Sequence, residues 1–171
     1  MVELLQADAV EPTAVYERAP GRLELHELHP REAAVVRVAV PRDQLQGALA
    51  EAMAEVSRGM NEAGVPLAGP PFARYLSFDA TRVVAEIGFP VIRPAPRVGR
   101  VEPVVLPGGL AASMIHLGGY ERIAETYQAL HRAIAEIGRH PTAPGWEVYW
   151  SDPAAEPDPS TWRTELLIPI A

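Results

Sequence analysis

The sequence lacks two residue types entirely, cysteine and lysine. Without cysteine among 171 residues, disulfide frameworks, thiolate metal sites and cysteine nucleophiles are all excluded. The closest histidine pair, His26 and His29, would point to opposite faces of a strand, so we predict no metal site. No serine lies in a nucleophile elbow and no glycine-rich loop precedes a helix in the dinucleotide-binding pattern, so we also predict no cofactor.

Long apolar runs are also missing. A membrane-spanning helix needs about 18 or more consecutive apolar residues, and no segment approaches that length. Glu3 and Asp8 stand where a secretory signal would carry basic residues and an apolar core. These features predict a cytoplasmic protein with no membrane partner.

Positive charge is scarce as well, since 15 basic residues, all arginine, face 22 acidic ones. The resulting net charge of -7 repels phosphate backbones, and no basic cluster or helix-turn-helix pattern is present, so we predict no nucleic-acid partner. A hydrophobic fraction of 48% is typical of a globular chain, and the length favours a single domain. The oligomeric state is left open.

Hydrophobic periodicity after residue 22 predicts a β-α-β-β order. Residues 1–22 show no clear pattern and are interpreted as a lead-in or an extra edge strand. Residues 23–40 predict one strand, or two broken by Pro30. Apolar residues then recur every three or four positions from Asp43 to Gly64, which predicts an amphipathic helix, and two β-rich runs follow at 72–78 and 82–91.

The same order returns in the second half, with strand-like residues 101–118, a helix over 120–138, and strands near 146–151 and 163–170. Short motifs also match between the halves: Phe72-x-x-Tyr75 with Trp146-x-x-Tyr149, and the strand of Glu86 with that of Glu165. We interpret this as an internal duplication, with pseudo-repeats of about 23–92 and 100–171 in one domain spanning 23–171. The predicted fold class is α+β: duplicated β-α-β-β units forming an antiparallel sheet, with two helices on one face and a ligand groove between the halves.

Strand alternation places the two matched glutamates. In the last strand Leu166 and Ile168 share one face and Glu165 takes the other, and Glu86 is separated from Ile87 in the same way. Because the apolar faces should pack on the helices, both glutamates are predicted on the non-helical face. There each is either a solvated carboxylate or part of a groove wall.

The terminal run Thr164-Glu-Leu-Leu-Ile-Pro-Ile170, with an upstream Leu106-Pro-Gly-Gly and Gly118-Gly-Tyr120, resembles the gyrase-inhibitor-like (GyrI-like) small-molecule-binding family over about residues 23–171. The resemblance implies a groove that binds bulky aromatic or cationic compounds, with an acidic residue at Glu165 and aromatic residues around it. The family includes effector-binding domains of multidrug-responsive regulators, stand-alone binding proteins and a branch that hydrolyses cyclopropane-containing alkylating compounds. This chain carries no DNA-binding segment, so the resemblance favours a stand-alone member.

The predicted site follows from this resemblance. Glu165 and Tyr149 are the candidate catalytic residues, with Glu165 as general base on a water molecule. The candidate ligand-binding residues are Trp146, Tyr149, Glu165, Tyr120, Tyr75 and Phe72. Regular alternation sets Trp146 and Tyr149 on opposite faces, so both line one groove only if a bulge intervenes.

Several alternatives stay open. Tyr120 is either a core residue or a groove aromatic, and Glu86 is either a second wall carboxylate or solvated. The main functional prediction is a xenobiotic-binding protein, with or without hydrolysis of cyclopropanes. The alternative is an inhibitor or protector of a protein target such as gyrase.

Overall fold

The structure is a computed structural model that describes residues 4–6 and 12–171. Its elements, in chain order, are β1 (Leu4–Gln6), α1 (Pro12–Glu17), β2 (Glu24–Leu28), β3 (Arg31–Pro41), α2 (Leu45–Glu62), β4 (Phe72–Phe78), β5 (Arg82–Pro90), β6 (Glu102–Leu106), β7 (Gly109–Leu117), α3 (Ile123–Glu136), β8 (Trp146–Tyr149) and β9 (Arg163–Pro169). The α+β class and both predicted long helices are confirmed. Each helix is shorter than predicted because a single 3-10 turn, at 42–44 or 120–122, precedes it.

The chain forms two compact units. The terminal unit comprises Met1–His29 and Gly108–Ala171, and the central unit comprises Pro30–Pro107. Residues 23–40 form two strands, and Pro30 begins the second unit between them. Because β2 pairs with β7 and β6 pairs with β3, each unit holds one β-α-β-β run plus a strand from the other half of the sequence.

In the terminal unit the strand order is β1-β2-β7-β9-β8, and every neighbouring pair except β1 and β2 is antiparallel. Helix α3 packs on one face of these strands through Leu130 and Ile134. Their partners include Leu166 and Ile168 of β9, as the alternation predicted. Gly138 ends the helix region with a φ of 72°, a backbone conformation that residues with a Cβ rarely adopt.

The central unit contains antiparallel strands in the order β4-β5-β3-β6. Helix α2 packs on β3 and β5 and buries Ala52, Val56 and Met60. Within the described residues, no helix is long and apolar enough to cross a membrane. The predicted groove between the two halves stays a prediction.

Candidate functional site

The pairing of β8 with β9 decides which side chains can meet. Directly opposite residues in an antiparallel pair point to the same face, and the register is unbroken from Trp146 to Tyr149. Glu147 lies opposite Leu166, which packs against α3, so Glu147 and Tyr149 face the helix. Trp146 and Val148 share the other face with Glu165. Strands β8 and β9 therefore each present a carboxylate, and Glu147 of β8 and Glu165 of β9 lie on opposite faces of the terminal sheet.

Glu147 is buried, with 6% of its surface exposed, and accepts hydrogen bonds from two tyrosine hydroxyls. Tyr127 of α3 donates to Oε1 at 2.9 Å, and Tyr149 of the same strand donates to Oε2 at 2.6 Å. These two bonds hold the carboxylate in one orientation. Glu147 therefore has a fixed position on the face of the sheet that carries α3.

Three aromatic rings lie beside this carboxylate, and we call Tyr120, Tyr149 and Trp162 the aromatic cluster. Tyr120 meets Tyr149 edge to face, with ring centroids 5.9 Å apart, and lies 5.2 Å from Trp162 at a tilt of 39°. Burial raises the pKa of the Tyr120 hydroxyl, and the negative charge of Glu147 raises it further. Carboxylate and rings therefore share one environment, which we call the Glu147 site.

His116 fixes the chain where it enters this site. Its Nε2 lies 2.8 Å from the carbonyl oxygen of Gly119, and because a carbonyl only accepts, Nε2 carries the proton. Its Nδ1 is bonded to the Thr126 hydroxyl of α3 at 2.7 Å. The imidazole thus ties the end of β7 to the helix and sets the position of Tyr120.

Glu165 has a different environment on the opposite face. Arg18 donates to its Oε1 at 2.9 Å and the Trp150 indole donates to its Oε2 at 3.0 Å. Arg18 also bonds both oxygens of Glu24, at 2.8 and 3.0 Å, and the Ser113 hydroxyl at 2.9 Å. One buried guanidinium thus serves two buried carboxylates, a group that we call the Arg18 network.

Electrostatics favour the charged form of arginine in this network. Burial by itself would lower the pKa of Arg18, but the charges of Glu165 and Glu24 outweigh it and raise the pKa. Burial lowers the pKa of neighbouring His26, whose Nε2 lies 2.7 Å from the Ser113 hydroxyl and 3.9 Å from Glu165. The network therefore holds one cation, two anions and a neutral histidine.

The predicted catalytic pair is not brought together. Tyr149 bonds Glu147 and faces α3, whereas Glu165 faces the Arg18 network, because β8 runs without a bulge. Trp146 is buried on the Glu165 face, and Tyr120 lies with Tyr149 on the helical face. The alternation argument for Trp146 and Tyr149 is therefore confirmed, and Tyr149 as a partner of Glu165 is wrong.

In the central unit, the two predicted ligand residues also lie on opposite faces of the sheet. Phe72 lies opposite Gly88, on the face that Arg74 shares with Glu86, and Tyr75 lies opposite Ala85 on the other face. Glu86 is 1% exposed and accepts bonds from Arg37 at 2.8 Å and Arg74 at 3.0 Å. The solvated alternative is therefore wrong for both Glu86 and Glu165, since each is buried against arginine.

Glu147 was missed by the sequence analysis, although one signal for it was available. In a strand, residues two apart share a face, so any face that carries Tyr149 also carries Glu147. The matched motif in the first half has Ala73 at this position. The two halves therefore share the aromatic residues of the motif and do not share the glutamate. No local signal links Arg18 to Glu165, because the two residues are 147 positions apart in the sequence.

The family model of the GyrI-like small molecule binding domain matches residues 79–171, more than half of the chain. This chain belongs to the GyrI-like family. The match includes every residue of the Glu147 site. A comparison with curated proteins gave no match.

Solved structures resemble this GyrI-like chain along most of its length. The EcmrR C-terminal domain superposes with a TM-score of 0.78 at 20% identity, covering 88% of this chain and 97% of that one. A hydrolase encoded by lin2189 of Listeria innocua gives 0.65 at 17% identity, with 91% and 95% coverage. SAV2435 bound to tetraphenylphosphonium gives 0.60 at 12% identity, with 88% and 94% coverage. At these identities the likeness establishes the fold.

Proposed function

We propose that this GyrI-like domain binds aromatic organic cations at the Glu147 site. The observation that carries the proposal is a buried carboxylate, held by two tyrosine hydroxyls, beside the aromatic cluster. Glu147 thus replaces Glu165 as the acidic ligand residue. The charge of Glu165 is already paired with the Arg18 guanidinium, at 2.9 Å.

The physical basis is a match between two kinds of attraction. Aromatic faces attract cations, by about 0.5–2 kcal/mol per ring, and also bury the apolar surface of a ligand. A carboxylate in a low-dielectric site adds a Coulomb attraction that water would screen. Large cations with spread charge gain most, because their own hydration is weak and costs little to remove. SAV2435, which shares the fold, was solved with such a cation, tetraphenylphosphonium.

Calorimetric titration with tetraphenylphosphonium and with neutral triphenylphosphine oxide tests the charge requirement directly. Both compounds carry phenyl rings on phosphorus, and only the first is cationic. We expect the cation to bind at least about tenfold more tightly, since the carboxylate interacts with its charge. Equal affinities would overturn the proposal. No binding of either compound would also overturn it and favour the protein-inhibitor alternative.

A second candidate function is hydrolysis of electrophilic aromatic compounds with strained rings, favoured by the 2.6 Å bond between the Tyr149 hydroxyl and Glu147. Glu147 would accept a proton from a water molecule as the water oxygen bonds to the strained carbon. The ring carbon–carbon bond would break, and its electron pair would pass to the conjugated system of the substrate and be protonated there by Tyr149. Tyr149 would then regain a proton from Glu147 along the bond between them.

Mass spectrometry of an aromatic cyclopropane incubated with the protein tests this second function. We expect the wild type to yield the product of water addition and Glu147→Gln to leave the compound intact. Glu125→Gln, on the exposed face of α3, is the matched control and should react like the wild type. Product from Glu147→Gln at the wild-type rate would exclude Glu147 as the base.

A further inference from the structure

Helix α1 is attached to the loop that carries Trp162. The hydroxyl of Tyr16 donates to Oε1 of Glu156 at 3.0 Å, and the carbonyl oxygen of Trp150 lies 3.4 Å away. Arg163 adds two contacts, a bond from Nη1 to the carbonyl oxygen of Arg18 at 3.1 Å and a guanidinium 5.6 Å above the Tyr16 ring. Residues 16–18 are thus bound to both ends of the loop 150–162, which we call the Trp162 loop.

Glu156 bonds to several residues at once, among them Thr161, whose hydroxyl donates to Oε2 at 3.4 Å. The Glu156 side chain also accepts from Tyr16, and its backbone carbonyl accepts from the indole nitrogen of Trp162 at 2.6 Å. Its own backbone N–H donates to the carbonyl of Asp152 at 2.8 Å, which keeps the residue within a tight turn. If the bond to Tyr16 is lost, Glu156 can move. Its movement would displace the backbone carbonyl that accepts the hydrogen bond from the Trp162 indole.

Trp162 in turn reaches the ligand site. Its ring lies 5.2 Å from that of Tyr120, and Tyr120 meets Tyr149, whose hydroxyl bonds Glu147. A continuous series of contacts therefore runs from Tyr16 through Glu156 to the aromatic cluster. All of its members belong to the terminal unit.

We propose that Tyr16 and Glu156 are positioning residues for Trp162, so that the docked N-terminal segment sets the shape of the ligand site. This inference rests on the proposed function of the Glu147 site. It assigns a binding role to residues that touch no ligand themselves. By linkage, a ligand that requires Trp162 in this position must also stabilise the docked state of α1.

Substitution of Tyr16 by phenylalanine removes only the hydroxyl. We expect the affinity for tetraphenylphosphonium to fall about two- to tenfold, the range for the loss of one typical hydrogen bond. Glu156→Ala, which keeps the backbone carbonyl, should give a similar fall. The double variant should be no weaker than either single variant, because both break the same link. Glu136→Ala, an exposed glutamate in the last turn of α3, is the control and should bind like the wild type.

Nuclear magnetic resonance measures the chemical shift of each indole N–H group. A local displacement of Trp162 would change its own shift, whereas a general loss of stability would not single out this residue. The chain has three tryptophans, and Trp162→Phe identifies the resonance of Trp162. We expect Tyr16→Phe to shift this resonance more than that of Trp146, which is buried on the other face of the sheet. An unchanged Trp162 resonance together with unchanged affinity would overturn the inference.

The two proposals fail in different ways. Wild-type protein that does not bind tetraphenylphosphonium would refute the proposed function. Binding that weakens with Trp162→Ala and is unaffected by Tyr16→Phe would refute only the positioning role.

Discussion

Glu147→Gln is expected to weaken tetraphenylphosphonium binding by about 100-fold, which corresponds to about 2.7 kcal/mol. Glutamine preserves the size of the side chain and an oxygen that a tyrosine hydroxyl can still donate to, so the main change is the loss of a buried negative charge. The affinity for neutral triphenylphosphine oxide should stay within about twofold, because the aromatic cluster is unchanged. Calorimetric titration of the same variant with both compounds measures the two effects.

Two further variants make this result interpretable. Glu125→Gln removes an exposed charge from α3 and should leave both affinities unchanged. Tyr149→Phe keeps the ring and removes one donor to Glu147, which tests the site should Glu147→Gln fail to fold. Undiminished cation affinity in a folded Glu147→Gln variant would mean that the carboxylate has no part in binding.

Arg18→Ala is expected to lower the free energy of unfolding by about 3–5 kcal/mol at neutral pH. The side chain of Arg18 is 10% exposed and neutralises two buried carboxylates, Glu24 and Glu165. Its removal leaves both carboxylates buried without the cation that they share. Urea denaturation followed by circular dichroism measures the loss. Arg122→Ala, whose partner Glu125 is exposed, is the matched control and should change stability by about 1 kcal/mol or less.

A second variant distinguishes buried charge from lost packing. Arg18→Met keeps most of the apolar volume of the side chain and removes the guanidinium. We expect Arg18→Met to lose nearly as much stability as Arg18→Ala, because both variants leave Glu24 and Glu165 without the cation that pairs with them. Recovery of most of the wild-type stability in Arg18→Met would indicate packing alone.

Much of the fold was predictable because its signals are local. The three- and four-residue spacing from Leu45 to Met60 predicts α2, and two-residue alternation in β9 correctly assigns Leu166 and Glu165 to opposite faces. Each of these signals is read within one element. Neither requires knowledge of which strands become neighbours.

The site was less predictable because it depends on pairing between distant segments. Glu147 meets Tyr127 only when β8 pairs with β9 and α3 packs over that face of the sheet. The pairing of Glu165 depends on Arg18, which lies in a segment whose sequence has no hydrophobic periodicity. A buried carboxylate and its counterion need not share a motif, so the motif around Glu165 gives no indication of Arg18 or of the environment of Glu147.

The exchange of β2 and β6 between the halves of the sequence has a consequence for the order in which the protein is built. The central unit is continuous, so all its strands have been synthesised once translation reaches Pro107. Strand β2 is synthesised before any of them, yet its partner β7 begins at Gly109. Strand β2 therefore stays unpaired with β7 while the whole central unit is translated. Cutting the chain between the two sequence repeats would part both exchanged strands from their partners.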